Sequence, residues 1–306
     1  MRITDQMMYQ NLTQSIDQAQ AAYVRTQEEA SSGVSISQPS DNPAGTAVVL
    51  QLTSAQQQVT SWQSNAQAVQ SKMQTADQAM SQIESVISSA QSLAQQGTSG
   101  TMTAQDLTDL SQKAASLVQQ TESLANTQYA GEYVFGGVAQ QPPVVGGAYN
   151  SAATSAPQSI EIGQGVKVQT TVDGNQAFNT APSSTPSTWS TNHTAQATLL
   201  NVLSALQSDL AAGNTAAVEA DLGALAAQGD NISSLRAQLG ANMEQVQAAV
   251  SQLTTMSSTL QIEQGNVENV DMAKVLTQLT AQQTAYQAAV AAGANMKLPT
   301  LASYLS

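Results

Sequence analysis

The one histidine of this 306-residue chain, His193, is the first place to look for chemistry. An imidazole can serve as general base to a serine, or ligate a metal beside other His, Cys or carboxylate groups. His193 stands in the Ser/Thr/Pro-rich run 182–194, whose composition predicts a solvated linker residue. The carboxylates Asp41, Asp173 and Asp271 sit beside turn formers or helix starts, where capping accounts for them better than acid–base work. Asp173-Gly174-Asn175 opens like a calcium loop but lacks the remaining ligands and the closing glutamate, so a hairpin turn is expected there. The chain has no cysteine, which removes disulfides and thiolate sites. The expectation is therefore no catalytic residue, no cofactor and no metal.

One charged residue stands out by position. Arg236 falls where a helical seam calls for leucine. It either snorkels to the helix edge or forms an ion pair with a carboxylate of a neighbouring helix or subunit, fixing register. Near the ends, Met7, Met8, Met272 and Met296 read either as core filler or as adaptable packing surface for changing neighbours.

The elements that carry these residues are long helices. From 48 to 94, apolar residues recur every four and then three positions: Val48, Leu52, Ala55, Val59, Trp62, Ala66, Val69, Met73, Ala76, Met80, Ile83, Ile87, Ala90, Ala94. The residues between are mostly Gln, Ser, Thr and Asn. Such a narrow stripe predicts a single helix of roughly 70 Å that must bury its face on partner helices. Asn42-Pro43 supplies its N-cap and first turn, and Gly97-Thr98-Ser99-Gly100 ends it. A second helix with Leu107, Leu110, Ala114, Leu117 and Leu124 returns as a helical hairpin closed by Gly131. Another rod follows the stop at Gly213, with Val218, Leu222, Leu225, Ile232, Leu239, Met243, Val246, Val250, Leu253 and Leu260. A helix from about 5 to 31 carries Met8, Leu12, Ile16, Ala19 and Tyr23 on one face. A last helix after Gly265 carries Met272, Leu276, Leu279, Gln283, Tyr286 and Val290, with Leu301, Tyr304 and Leu305 as an apolar tip.

Between 132 and 194 the helical period vanishes and Gly, Pro, Ser and Thr accumulate. Alternation at Ile160/Ile162 and at Val166/Val168/Thr170/Val172 predicts strands, with a turn at Asp173-Gly174 and Phe178 on a return strand. Both Phe residues and Trp189 fall here, which suits a small independent core.

The fold expected is mainly α: a terminal coiled coil (1–40 and 266–306), a long-helix rod domain (41–131 and 195–265) and an inserted β domain (132–194). The terminal stripes are thin and interrupted by Thr and Gln, so they are expected to order through intermolecular burial. With 8 basic against 21 acidic residues and a formal charge of −13, nucleic acid and anionic lipid are excluded as partners. No run reaches the ~18–20 apolar residues of a membrane span, and the polar N-terminus has no Sec signal pattern.

Several stretches resemble one family. Met1-Arg2-Ile3-Thr4 with Met7-Met8-Tyr9-Gln10-Asn11-Leu12, the loop Pro39-Ser40-Asp41-Asn42-Pro43-Ala44-Gly45 and Tyr129-Ala130-Gly131-Glu132-Tyr133-Val134-Phe135-Gly136-Gly137 are similar to the flagellins, and within them to the hook-associated protein 3 (hook-filament junction) branch. So are Ile232-Ser233-Ser234-Leu235-Arg236-Ala237-Gln238-Leu239-Gly240-Ala241 and the stretch 267–305, with Gln282-Gln283-Thr284-Ala285 and Leu301-Ala302-Ser303-Tyr304-Leu305. Members often carry a basic residue just after the first loop glycine; here Val34 and Ser35 follow Gly33. The resemblance implies an elongated fold with the β domain at its tip, and an extracellular structural adaptor that polymerises through its terminal helices. The surface it implies is Met8, Leu12, Ile16, Ala19, Tyr23, Met272, Leu276, Leu279, Tyr286, Val290, Leu301, Tyr304 and Leu305. The implied partners are further copies of itself in a ring, hook-associated protein 1, flagellin and a flagellar export chaperone, with export through the flagellar type III route without a cleaved signal. The alternatives are a filament subunit, a secreted glycan-binding protein using Trp189 and Tyr149, and, more distantly, a peptidoglycan hydrolase.

Overall fold

The structure, a computed structural model, describes residues 2–150, 152 and 158–295, with side chains for 7–294 of these. The chain divides into two compact units, Met1–Gln58 with Ser257–Ser306, and Val59–Met256.

The terminal unit is built on α1 (Arg2–Ser32) and α8 (Met272–Asn295), with the first turns of α2 (Pro43–Gly97) and the last of α7 (Thr215–Glu268). Gly33 adopts φ +73° and stops α1. The chain then pairs with the end of α7: Ser35 N donates to Glu268 O at 2.7 Å, and Val270 N to Gly33 O at 3.1 Å. Asp41 Oδ2 accepts from Gln38 N and Ser37 Oγ, tightening the loop, and Arg25 reaches Asp41 at 3.4 Å. Asn42 caps α2 through Gly45 N. Gly265 does not end the rod; α7 runs to Glu268, and Asp271 caps α8 by accepting from Ala273 N and Lys274 N.

The central unit holds the dense core. The α2 face from Val59 onward is buried as the 4-3 rhythm requires, and α7 runs antiparallel to it, with Ile87 against Gly229 and Gln70 against Gln247. α3 (Ala104–Ala125) starts at Thr103, whose hydroxyl and backbone exchange hydrogen bonds with Asp106 in a capping box. It packs on α6 (Leu199–Ala212), whose Leu199, Leu203, Leu206 and Leu210 are fully buried.

The insertion differs from its expected layout. Among the described residues it contains three two-stranded hairpins: β1–β2 (Gln128–Tyr129, Glu132–Tyr133), β3–β4 (Val144–Val145, Ala148–Tyr149) and β5–β6 (Ser159–Gly163, Val166–Gln169). Gly131 does not close α3. It turns β1 into β2 with Ala130, both at positive φ as a type I′ turn demands. Asp173-Gly174 is not a hairpin turn either: Asp173 caps a short helix, α4 (Gly174–Phe178), through Asn175 N, and Phe178 lies on that helix. Gly174 is required because a Cβ there would sit 2.3 Å from Phe135 O. The edge-to-face pair Phe135–Phe178 and Trp189, on α5 (Ser187–Asn192), belong to the same apolar cluster as Met80, Ile83 and Leu203. The insertion therefore has no separate core. Buried Lys72 of α2 ties into it by donating to Glu132 at 2.7 Å and Gln158 at 3.1 Å.

Candidate assembly surface

In the terminal unit α1 and α8 run antiparallel. Tyr23 and Tyr286 stack with ring centroids 6.2 Å apart and planes 4° from parallel, and Gly293 lies beside Ile16 and Leu12. Along α1 the shielded positions are Tyr9, Leu12, Ile16, Ala19, Tyr23, Thr26 and Ala30. Along α8 they are Val275, Leu279, Gln282, Tyr286, Ala289 and Gly293. Both rows keep the alternating three-and-four spacing of a coiled-coil seam. The α8 row is not the one expected. Met272, Leu276 and Val290 lie outside it, at 43%, 50% and 43% exposure, as does Met8 on α1 at 53%. Large side chains dominate the hydropathy pattern, but close approach of the two helices selects small residues, and Gly293 admits Ile16.

The expected surface residues thus fall into two sets. Leu12, Ile16, Ala19, Tyr23, Leu279 and Tyr286 line the intramolecular seam and are half-buried. Met8, Met272, Leu276 and Val290 face away, with Met7, Val24, Val48, Leu50 and Ile262 also exposed in this unit. Leu301, Tyr304, Leu305 and Met296 lie outside the described residues. Val275, at 4% exposure, is the one buried hydrophobic side chain of the terminal unit among the described residues.

Two polar sites belong to the central unit. Arg236 of α7 donates Nε to Asp77 at 2.9 Å and Nη1 to Glu84 at 2.6 Å, both on α2. Asp77 above all, and then Glu84, raises the guanidinium further above its ordinary value. His193 is not a solvated linker residue. Its ring stacks on Trp189 at 4.0 Å, its Nε2 is 2.8 Å from Asp209 Oδ2 of α6 and 3.5 Å from Asp221 Oδ1 of α7, and Trp189 Nε1 donates to Ala195 O. Asp221 is fully buried; burial, then the charge of Asp209, pushes its carboxyl up to about 8. The sequence held two signals for this cluster. Trp189 lies one helical turn before His193, and Asp221 occupies the seam between Val218 and Leu225 where Leu222 was the expected member; Leu222 is only half-buried.

Residues 3–140 match the bacterial flagellin N-terminal helical region, and residues 222–305 match the bacterial flagellin C-terminal helical region. The chain belongs to the flagellin family. Within that family it is 26% identical over 314 positions to "Flagellar hook-associated protein 3" of Escherichia coli K12, spanning 97% of each chain. Its fold is that of a putative flagellar hook-associated protein from Vibrio parahaemolyticus, with TM-score 0.65 at 17% identity over 75% of this chain and all of that one. It is likewise similar to the flagellar junction protein FlgL from Legionella pneumophila, with TM-score 0.57 at 13% identity over 72% of this chain and all of that one. The flagellin-like, mainly helical fold expected from the sequence is the one found.

Proposed function

We propose that this chain is a structural adaptor of the external flagellum, joining the hook to the flagellin filament. The near end-to-end likeness to hook-associated protein 3 carries this reading. The open apolar face of the terminal unit supplies its mechanism: Met8, Met272, Leu276 and Val290 are presented outward on helices already paired with each other. On this reading the terminal coiled coil (1–40 and 266–306) polymerises, while the rod (41–131 and 195–265) and the insertion (132–194) are carried on it. Subunits form a ring, with hook-associated protein 1 below and the first flagellin above. The chain is exported with its N-terminus uncleaved, accompanied by an export chaperone that shields the apolar helices. The role is non-catalytic; binding of helix faces is all it requires.

Electron microscopy of a deletion strain tests this. Cells lacking the protein should keep hooks and shed flagellin unassembled; long filaments on such cells would overturn the junction role. Loss of the filament subunit itself, with no flagellin shed, would identify a filament protein instead. Complementation with Leu276→Asp should fail to restore filaments although the secreted monomer melts like wild type, because an exposed carboxylate costs the monomer little and cannot be buried unpaired in the ring. Filaments restored by that variant would exclude the outer face of α8 from the interface.

A further inference from the structure

We propose that His193, Asp209 and Asp221 form a structural site for a divalent cation of the zinc class, joining α5, α6 and α7 within the central unit. The ligand atoms of the three residues lie within 4.8 Å of one another and come from three separate elements. Asp221 is fully buried, yet neither of its carboxylate oxygens has a hydrogen-bond partner, and Oδ1 lies 3.5 Å from His193 Nε2. A buried carboxylate in that state is costly unless a proton or a cation meets it. A proton can serve only one of its two oxygens. A divalent cation neutralises two carboxylates at once and takes the lone pair of a neutral imidazole.

The donor set fits zinc. Imidazole nitrogen with carboxylate oxygens is a borderline set, whereas calcium and magnesium take oxygen alone. Zinc bonds of about 2.0–2.2 Å hold neighbouring ligands roughly 3.3–3.5 Å apart. The Nε2–Asp221 separation has that value already; the 2.8 Å contact to Asp209 opens by about half an ångström. Trp189 stacks on the imidazole and fixes its plane from one side. The cation would pin the returning end of the insertion to two core helices, and the second, equally unpartnered oxygen of Asp221 would complete a closed four-coordinate shell.

The test uses tag-free full-length protein, stripped with chelator and dialysed against zinc chloride, with calcium and magnesium chloride in parallel. Bound metal is counted by mass spectrometry and melting is followed by circular dichroism. One zinc per chain is expected, with a melting shift of about 5 °C at a hundredfold excess over Kd. Asp221→Asn, which keeps the shape, should retain helical content while losing both the stoichiometric zinc and the shift; Asp209→Asn should do the same. Zinc bound equally by wild type and both variants, no zinc bound by wild type, or an equal shift from calcium or magnesium would each overturn the proposal.

Discussion

The two units use the same helical rhythm to opposite ends. In the central unit the stripe from Ala66 to Ala94 disappears beneath α7 and, with α3 and α6, contributes to one continuous apolar cluster. In the terminal unit the same rhythm, at Val48, Leu52 and Ala55 of the same helix, stays open or half-covered. Nine of the thirteen large exposed apolar side chains lie there among the described residues, against a single buried one, Val275. Periodicity says that a helix will be covered; it does not say by whom. On the proposed reading, the stripe that its own chain leaves uncovered is covered by neighbouring subunits.

Hydrogen exchange on the purified monomer puts this difference to its strongest test. Amides of α1 and α8 should open on the order of a thousandfold more readily than those between 66 and 94, since local opening costs scale with buried apolar contact. Equal protection in both regions would erase the distinction. Next in size comes truncation. Leu203→Ala, in the fully buried heart of α6, should cost about 3 kcal/mol, and Ile16→Ala, on the half-open seam, about 1 kcal/mol. Both tryptophans, Trp62 and Trp189, lie in the central unit. Urea unfolding followed by their fluorescence should therefore shift for Leu203→Ala and stay in place for Ile16→Ala. A shared shift would mean that the units unfold as one.

Arg236→Met is expected to have a smaller effect. Its two carboxylate partners are part-exposed, so the loss should be about 1 kcal/mol and should shrink with added salt. A loss unchanged by salt would point to packing rather than charge. Smallest is the loop of the terminal unit. The backbone of Gln38, by donating to Asp41, holds its carboxyl below the ordinary 3.8. A depressed folded value contributes stability that is present above the ordinary pKa and is lost as pH falls through the lowered one. Asp41→Asn should therefore lower loop protection at neutrality and flatten its acid limb below about pH 4. A pH dependence identical in wild type and variant would mean that Asp41 does not hold this loop.

Much of the helical frame was legible because its signals are local. Asn42-Pro43 and Gly213 mark boundaries by chemistry that acts within one turn, and the structure uses both. The α8 register was not legible. Two apolar rows one residue apart compete there, and hydropathy favours Leu276 and Val290, whereas packing against Ile16 favours Gly293. The insertion misled for a related reason. Asp173-Gly174 suits a hairpin turn and a helix cap equally by residue type, and only the close approach of Phe135 O decides between them. His193 looked solvated because its sequence neighbours are polar. Its environment comes from Asp209 and Asp221, which reach it only through tertiary folding.

Arg236 gives the long helices an address. A repeating seam is self-similar: α7 displaced along α2 by one heptad would again lay small apolar residues on small apolar residues, and little in the contact energy would report the error. One cation that must find both Asp77 and Glu84, seven positions apart, is met in a single alignment only. Its contribution is then better counted in wrong alignments denied during folding than in stability gained afterwards. Without it, refolding should acquire a slow phase as misaligned rods unzip and try again.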